Sequence, residues 1–127
     1  MKNNQEVSIC CDLNVFDGRL NYLRSASLLL TILVFLRDVK TNKVQLTYSD
    51  GEEILKEKYK QVTQRTVRNW LRRLGQNGAI KRTYTGEIII NPFYVFEGSK
   101  QEHEACIESW NNFKGVDVLI ENNVTST

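Results

Sequence analysis

Between Thr63 and Leu74 the apolar side chains Val67, Trp70, Leu71 and Leu74 recur at i, i+3, i+4 and i+7, the spacing of one buried face of an α-helix. At roughly 100° per residue, Arg65, Arg68, Asn69, Arg72 and Gln76 fall on the opposite side. A strand would scatter both groups over its two faces, so this stretch is confined to a helix seated in a core. Its outward face, made of arginines and amides, is suited to a polyanion.

The surrounding charge points the same way. From Lys58 to Gly86, 29 residues, there are eight basic side chains (Lys58, Lys60, Arg65, Arg68, Arg72, Arg73, Lys81 and Arg82) and no acid. From Glu97 to Thr127 six acids face two lysines, a net charge of −4, although the whole chain carries a formal +2. This asymmetry implies a basic face for a polyanion and an acidic C-terminal segment directed elsewhere. Arginines opposite a core stripe are often merely solvated; the absence of any carboxylate within the run argues against that here.

With 127 residues there is room for one compact domain and short extensions. Residues 1–24 read as an N-terminal extension, in which Val7, Ile9, Cys11 and Leu13 alternate as a strand and Asp17-Gly18 marks a turn. Residues 25–98 form the main domain. Ser25 or Ser27 caps a helix running to about Val39, apolar on nearly every side, which must be covered by the N-terminal strand and C-terminal helix or by a second subunit. Val44–Tyr48 is a short strand. Ser49-Asp50-Gly51-Glu52 matches a capping box and starts a helix of about Asp50–Tyr59 that turns Ile54, Leu55 and Tyr59 inward. Lys60-Gln61-Val62 is a turn, Thr63 caps the arginine-bearing helix, and Gly78 ends it in a left-handed conformation.

Ala79–Tyr84 and Glu87–Asn91 make a hairpin around Thr85-Gly86, with Ile88, Ile89 and Ile90 covered on both faces. Pro92 closes it, and Phe93–Phe96 folds back on the core. Residues 99–127 supply a helix, Ser99 to about Phe113, with Ala105, Cys106, Trp110 and Phe113 on its apolar side, and then a frayed acidic tail. Helix, short strand, helix, turn, helix and two-stranded hairpin define an α+β fold. The order is that of a winged helix-turn-helix: a three-helix core with a two-stranded β-wing.

Leu46-Thr47-Tyr48-Ser49, Val62 through Leu74, and Gly78-Ala79-Ile80-Lys81-Arg82 resemble the generic winged-helix pattern. The continuation from Gly86 through Asn91-Pro92-Phe93-Tyr94-Val95-Phe96 to Gly98 is similar to the wing and exit of the RepL-type replication initiation proteins of Firmicute plasmids. The resemblance implies sequence-specific binding of double-stranded DNA by a plasmid or phage replication initiator. The same fold equally suits a transcriptional regulator of a mobile element, or a non-catalytic winged helix that binds another protein.

In a helix-turn-helix the second helix enters the major groove with its N-terminal residues at the base edges. Gln64, Arg65, Arg68 and Asn69 stand at those positions; arginine pairs with guanine, and Gln or Asn with adenine, through two hydrogen bonds each. Thr63 and Thr66 suit phosphates at the helix N-terminus. Arg72 and Arg73, further along, meet the backbone, and Lys81, Arg82 and Tyr84 of the wing reach flanking phosphates or the minor groove. Two-fold binding to half-sites makes a homodimer the expected form, through the apolar first helix or the region of Trp110 and Phe113, with a replication or transcription protein as a further partner.

Other classes find little support. No phosphate-binding glycine loop or nucleophile motif is present, so an enzyme is not expected. The three cysteines, Cys10, Cys11 and Cys106, read as reduced thiols, and His103 with Cys106 is too few for a zinc site. No cofactor or metal is implied. The apolar run Leu28–Leu36 is shorter than the roughly 18–20 residues a membrane span needs, and the polar first twenty residues show no signal peptide, so a cytoplasmic location is expected.

Overall fold

Residues 6–10 and 24–117 are described by the computed structural model. Their elements run β1 (Glu6–Cys10), α1 (Arg24–Leu36), β2 (Lys43–Gln45), α2 (Tyr48–Lys56), α3 (Gln64–Gln76), β3 (Ile80–Arg82), β4 (Glu87–Ile90), β5 (Val95–Ser99) and α4 (Lys100–Asn112). The arrangement is α+β, with two small antiparallel sheets: a pair, β1–β5, and a triplet ordered β2–β4–β3.

The apolar stripe of α3 is the centre of the core. Val67, Leu71 and Leu74 are at most 1% exposed. They join Ala26, Leu29, Leu30 and Leu33 of α1, Leu55 of α2, and Val44, Ile80, Ile88 and Ile90 of the triplet in one cluster. Each such side chain contributes about 1.5–3 kcal/mol by leaving water. Helix α3 packs against both α1 and α2. The second approach is close: a Cβ on Gly51 would sit 2.7 Å from Val67 Cγ1, so glycine lets α2 descend onto α3. β4 pairs on both sides, with Val44 and Arg82 opposite Ile88, and Ile80 opposite Ile90. Ile88 and Ile90 face the core cluster, and Ile89 on the opposite face is buried as well, so both faces of β4 are covered.

Several local expectations are corrected. Helix α1 begins at Arg24, so Ser25 and Ser27 lie within it rather than capping it, and it ends at Leu36 rather than Val39. It stops because Asp38 Oδ1 accepts the amides of Lys40 and Thr41, and Asn42 takes a left-handed φ of 59°. Asn42 is fully buried; its Nδ2 donates to the carbonyls of Ile90 and Val95 at 3.0 and 2.7 Å, and its Oδ1 accepts from Arg37 Nε. The outer side of α1 is not covered by the described residues: Phe35 is 88% exposed, and Leu36 and Val39 remain in solvent.

The capping box of α2 is Thr47 with Asp50, two residues earlier than Ser49 with Glu52. Thr47-Tyr48-Ser49-Asp50 satisfies the same reciprocal pattern, and burial of Leu46 directly after β2 selects it. Leu55 faces inward as expected, joined by Gly51, whereas Ile54 and Tyr59 face solvent.

The two terminal segments are bonded into the fold. β1 runs against β5 from Glu6↔Ser99 to Cys10↔Val95, and α4 packs on both. Phe96 is buried, with the His103 ring 4.7 Å from its own, and His103 Nε2 lies 2.9 Å from the Pro92 carbonyl oxygen. Cys106 and Trp110 point inward as expected, but Ala105 is exposed. The expected turn at Asp17-Gly18, the strand continuation through Leu13 and the tail from Glu121 lie outside the described residues.

Candidate functional site

Thr63 caps α3 from extended backbone (φ −122°, ψ 173°), its hydroxyl accepting the Thr66 amide while Thr66 returns the contact to the Thr63 amide. Capping boxes more often use a carboxylate or carboxamide at the third position. Threonine there leaves the first turn of α3 without an acid, so the positive end of the helix dipole is not offset locally. At the other end, the amides of Gly78 (φ 79°) and Ala79 reach back to the carbonyls of Gly75 and Leu74, a Schellman closure that feeds β3.

With Val67, Leu71 and Leu74 buried, the outward side of α3 carries Gln64, Arg65, Arg68, Arg72 and Arg73, all exposed, and Asn69 and Gln76, half-buried. Among the described residues none of the four arginine guanidinium groups takes part in an ion pair or a hydrogen bond. Thirteen residues at about 1.5 Å each make a rod of about 20 Å. Trp70 packs partly against the core. Thr63, Gln64, Arg65, Thr66, Arg68, Asn69, Arg72 and Arg73 are thus brought together on and beside one helix face.

The hairpin residues are placed differently. Tyr84, near the tip, is 73% exposed. Arg82 is only 3% exposed and forms a forked ion pair with Asp117: Nε to Oδ2 at 2.7 Å and Nη2 to Oδ1 at 3.1 Å. Its remaining nitrogen, Nη1, donates to the Tyr48 hydroxyl at 2.8 Å. Burial alone would lower the guanidinium pKa, but the bonds to Asp117 and Tyr48 hold it above the ordinary arginine value. Lys81 Nζ donates to the Trp110 carbonyl at 2.7 Å and lies 4.5 Å from the Trp110 ring centre; burial lowers its pKa. Arg82 therefore does not belong to the exposed basic face, and Lys81 is tied to α4.

Residues 113–117 form the strap responsible. The Val116 amide donates to the Arg82 carbonyl at 2.9 Å, continuing beside β3. Gly75 makes room for it, since a Cβ there would collide with the Asp117 carboxylate. Asp117 is the acid that the run Lys58–Gly86 lacks, supplied from 35 positions downstream. Sequence reasoning passed over both Asp117 and Tyr48. The available signal was Gly75, a glycine inside an otherwise regular helix.

No protein family, curated protein or solved structure matches the chain. Among the described residues no helix is long and apolar enough to cross a membrane, and no group of three or more His, Cys, Asp or Glu side chains is placed to hold a metal ion.

Proposed function

We propose that residues 25–98 form a winged helix-turn-helix that binds double-stranded DNA sequence-specifically, with α3 as the recognition helix and the β3–β4 hairpin as the wing. The observation that carries this reading is the set Arg65, Arg68, Arg72 and Arg73, exposed and unpaired among the described residues, on a helix whose first turn holds no acid. In the major groove Gln64, Arg65, Arg68 and Asn69 meet base edges, Thr63 and Thr66 meet a phosphate, and Arg72 and Arg73 meet the backbone further along. Tyr84 is the wing residue free to reach the flanking duplex.

Within this reading the chain is a non-catalytic replication initiator of a plasmid or phage, and it acts as a homodimer. The side of α1 that the described residues leave uncovered, with Phe35 and Leu36, and Val39 just beyond the helix, is the surface that favours a partner copy. A monomer by light scattering at tens of micromolar would remove the dimer and leave the DNA reading intact.

The test is binding to random-sequence duplex DNA at two salt concentrations, followed by selection on the retained fraction. Steeply salt-dependent binding with an enriched motif is expected, because phosphate contacts release counterions. A motif found at an origin supports initiation and one at a promoter supports regulation. No binding at low salt would move the assignment to a protein-interaction domain.

A further inference from the structure

Beside the α2–α3 turn lies a cleft of about 660 Å³, within the range of about 300–1,000 Å³ typical of small-molecule sites. Leu28, Tyr59, Val62 and Trp70 give it flat apolar walls, while Lys60, Gln61 and Thr66 supply its polar side. Among the described residues that line it there is one cation, Lys60, and no carboxylate. The Lys60 ammonium, the Gln61 amide and the Trp70 indole N–H have no hydrogen-bond or ion-pair partner among the described residues, and none of these atoms is sealed from solvent. Three free donors on a lining that also holds two aromatic rings suit an occupant that brings acceptors and negative charge on a flat apolar body.

We infer that this cleft binds a small aromatic organic anion, and that its occupancy weakens DNA binding. The second half rests on the DNA-binding reading. Thr66, which lines the cleft, is also half of the capping box that fixes the first turn of α3. Arg65 precedes it, and Arg68 follows within one turn, about 5.4 Å along the axis. An anion lodged there neutralises Lys60 and adds negative charge beside the phosphate-facing end of α3. Ligand and DNA therefore oppose each other, and by linkage each weakens the other by the same factor.

The experiment titrates the full chain with 8-anilinonaphthalene-1-sulfonate and, separately, with uncharged N-phenyl-1-naphthylamine, following probe emission. One saturable site is expected, with the sulfonate bound about tenfold or more tightly, as one charge opposite one lysine supplies. Lys60→Met erases that preference and Tyr59→Ala weakens both probes; each residue is exposed, so thermal melts of both variants stay unchanged. Phe93→Ala, a distant exposed aromatic, leaves binding intact. Saturating sulfonate lowers affinity for the selected duplex about fivefold or more, and the duplex lowers probe affinity equally.

Non-saturable binding, no preference for the sulfonate, or indifference to both cleft substitutions would overturn the site. A saturable site with unchanged duplex affinity would overturn the coupling. Probe binding as expected in a chain that binds no DNA sinks the DNA reading and keeps the site; selected DNA without probe binding does the reverse.

Discussion

Replacing Asp117 by Asn tests whether the strap is part of the folded domain. The carboxylate makes two bonds to Arg82, at 2.7 and 3.1 Å, with the two side chains only 8% and 3% exposed. Asparagine preserves the shape but leaves a buried guanidinium without its counter-charge. Removing one partner of a buried pair costs about 3–5 kcal/mol. Tyr48 still accepts from Nη1, which places the expected loss near the lower end, about 3 kcal/mol. Domain stabilities are about 5–15 kcal/mol, so this is a fifth or more of the total. Urea titration followed by circular dichroism should show the midpoint falling with little change in slope. Arg82→Met alone should cost a similar amount. The double variant Arg82→Met with Asp117→Asn should cost clearly less than the two singles combined, since neither charge is then stranded. A loss below about 1 kcal/mol in Asp117→Asn, or strict additivity in the cycle, would refute the assignment of Arg82 to the interior.

Arg65→Ala or Arg68→Ala should each cost about 1–3 kcal/mol of specific DNA binding, read by competition titration; unchanged affinity and unchanged sequence preference in both would count against the docking of α3. Gly51→Ala should destabilise by about 1–3 kcal/mol despite the better helix propensity of alanine, because the new methyl meets Val67, a stiff β-branched side chain with no exposure. A Gly51→Ala protein that melts at or above the parent would show that the helices can part freely. Asn42→Ala should lower stability by about 2–4 kcal/mol, since two buried carbonyls lose their donor and alanine is strained at φ 59°; a neutral melt would exclude that role. Glu102 accepts the Ser99 amide at 2.9 Å and pairs with Lys40 at 3.4 Å, which holds its pKa below the ordinary carboxylate range. Its folded value is depressed, so its contribution is present above the ordinary carboxylate value and is lost as pH falls through the lowered one. The stability gap between the parent and Glu102→Gln should therefore close with acidification; a gap constant from neutral pH to pH 3 would disprove the linkage.

What was legible in the chain was what depends on near neighbours. The period of Val67, Leu71 and Leu74 told which side of α3 is buried, Thr63 marked its start, and Gly78 its left-handed end. Ile88, Ile89 and Ile90 announced a strand covered on both faces. The larger failures come from competition settled by distant contacts. Thr47 and Ser49 offer equivalent caps in the sequence, and the box forms at Thr47, directly after the buried Leu46. Lys81 and Arg82 look like the rest of the basic run until Trp110 and Asp117 are brought beside them by the fold. Of the proposed DNA-facing residues, those on α3 follow from helical period alone, whereas the state of Lys81 and Arg82 depends on α4 and on the strap that follows it.

The pairing of β1 with β5 carries a consequence for the order of assembly. Glu6 meets Ser99, so the first described strand closes a loop of roughly ninety residues. During synthesis it has no partner until Val95–Ser99 has left the ribosome, whereas the helices that bury Val67 and Leu71 are already complete. The strands of the three-stranded sheet are likewise all made before β5, because the last of them ends at Ile90. The first described strand thus waits for a partner that is made only after the helices of the core and the strands of the three-stranded sheet.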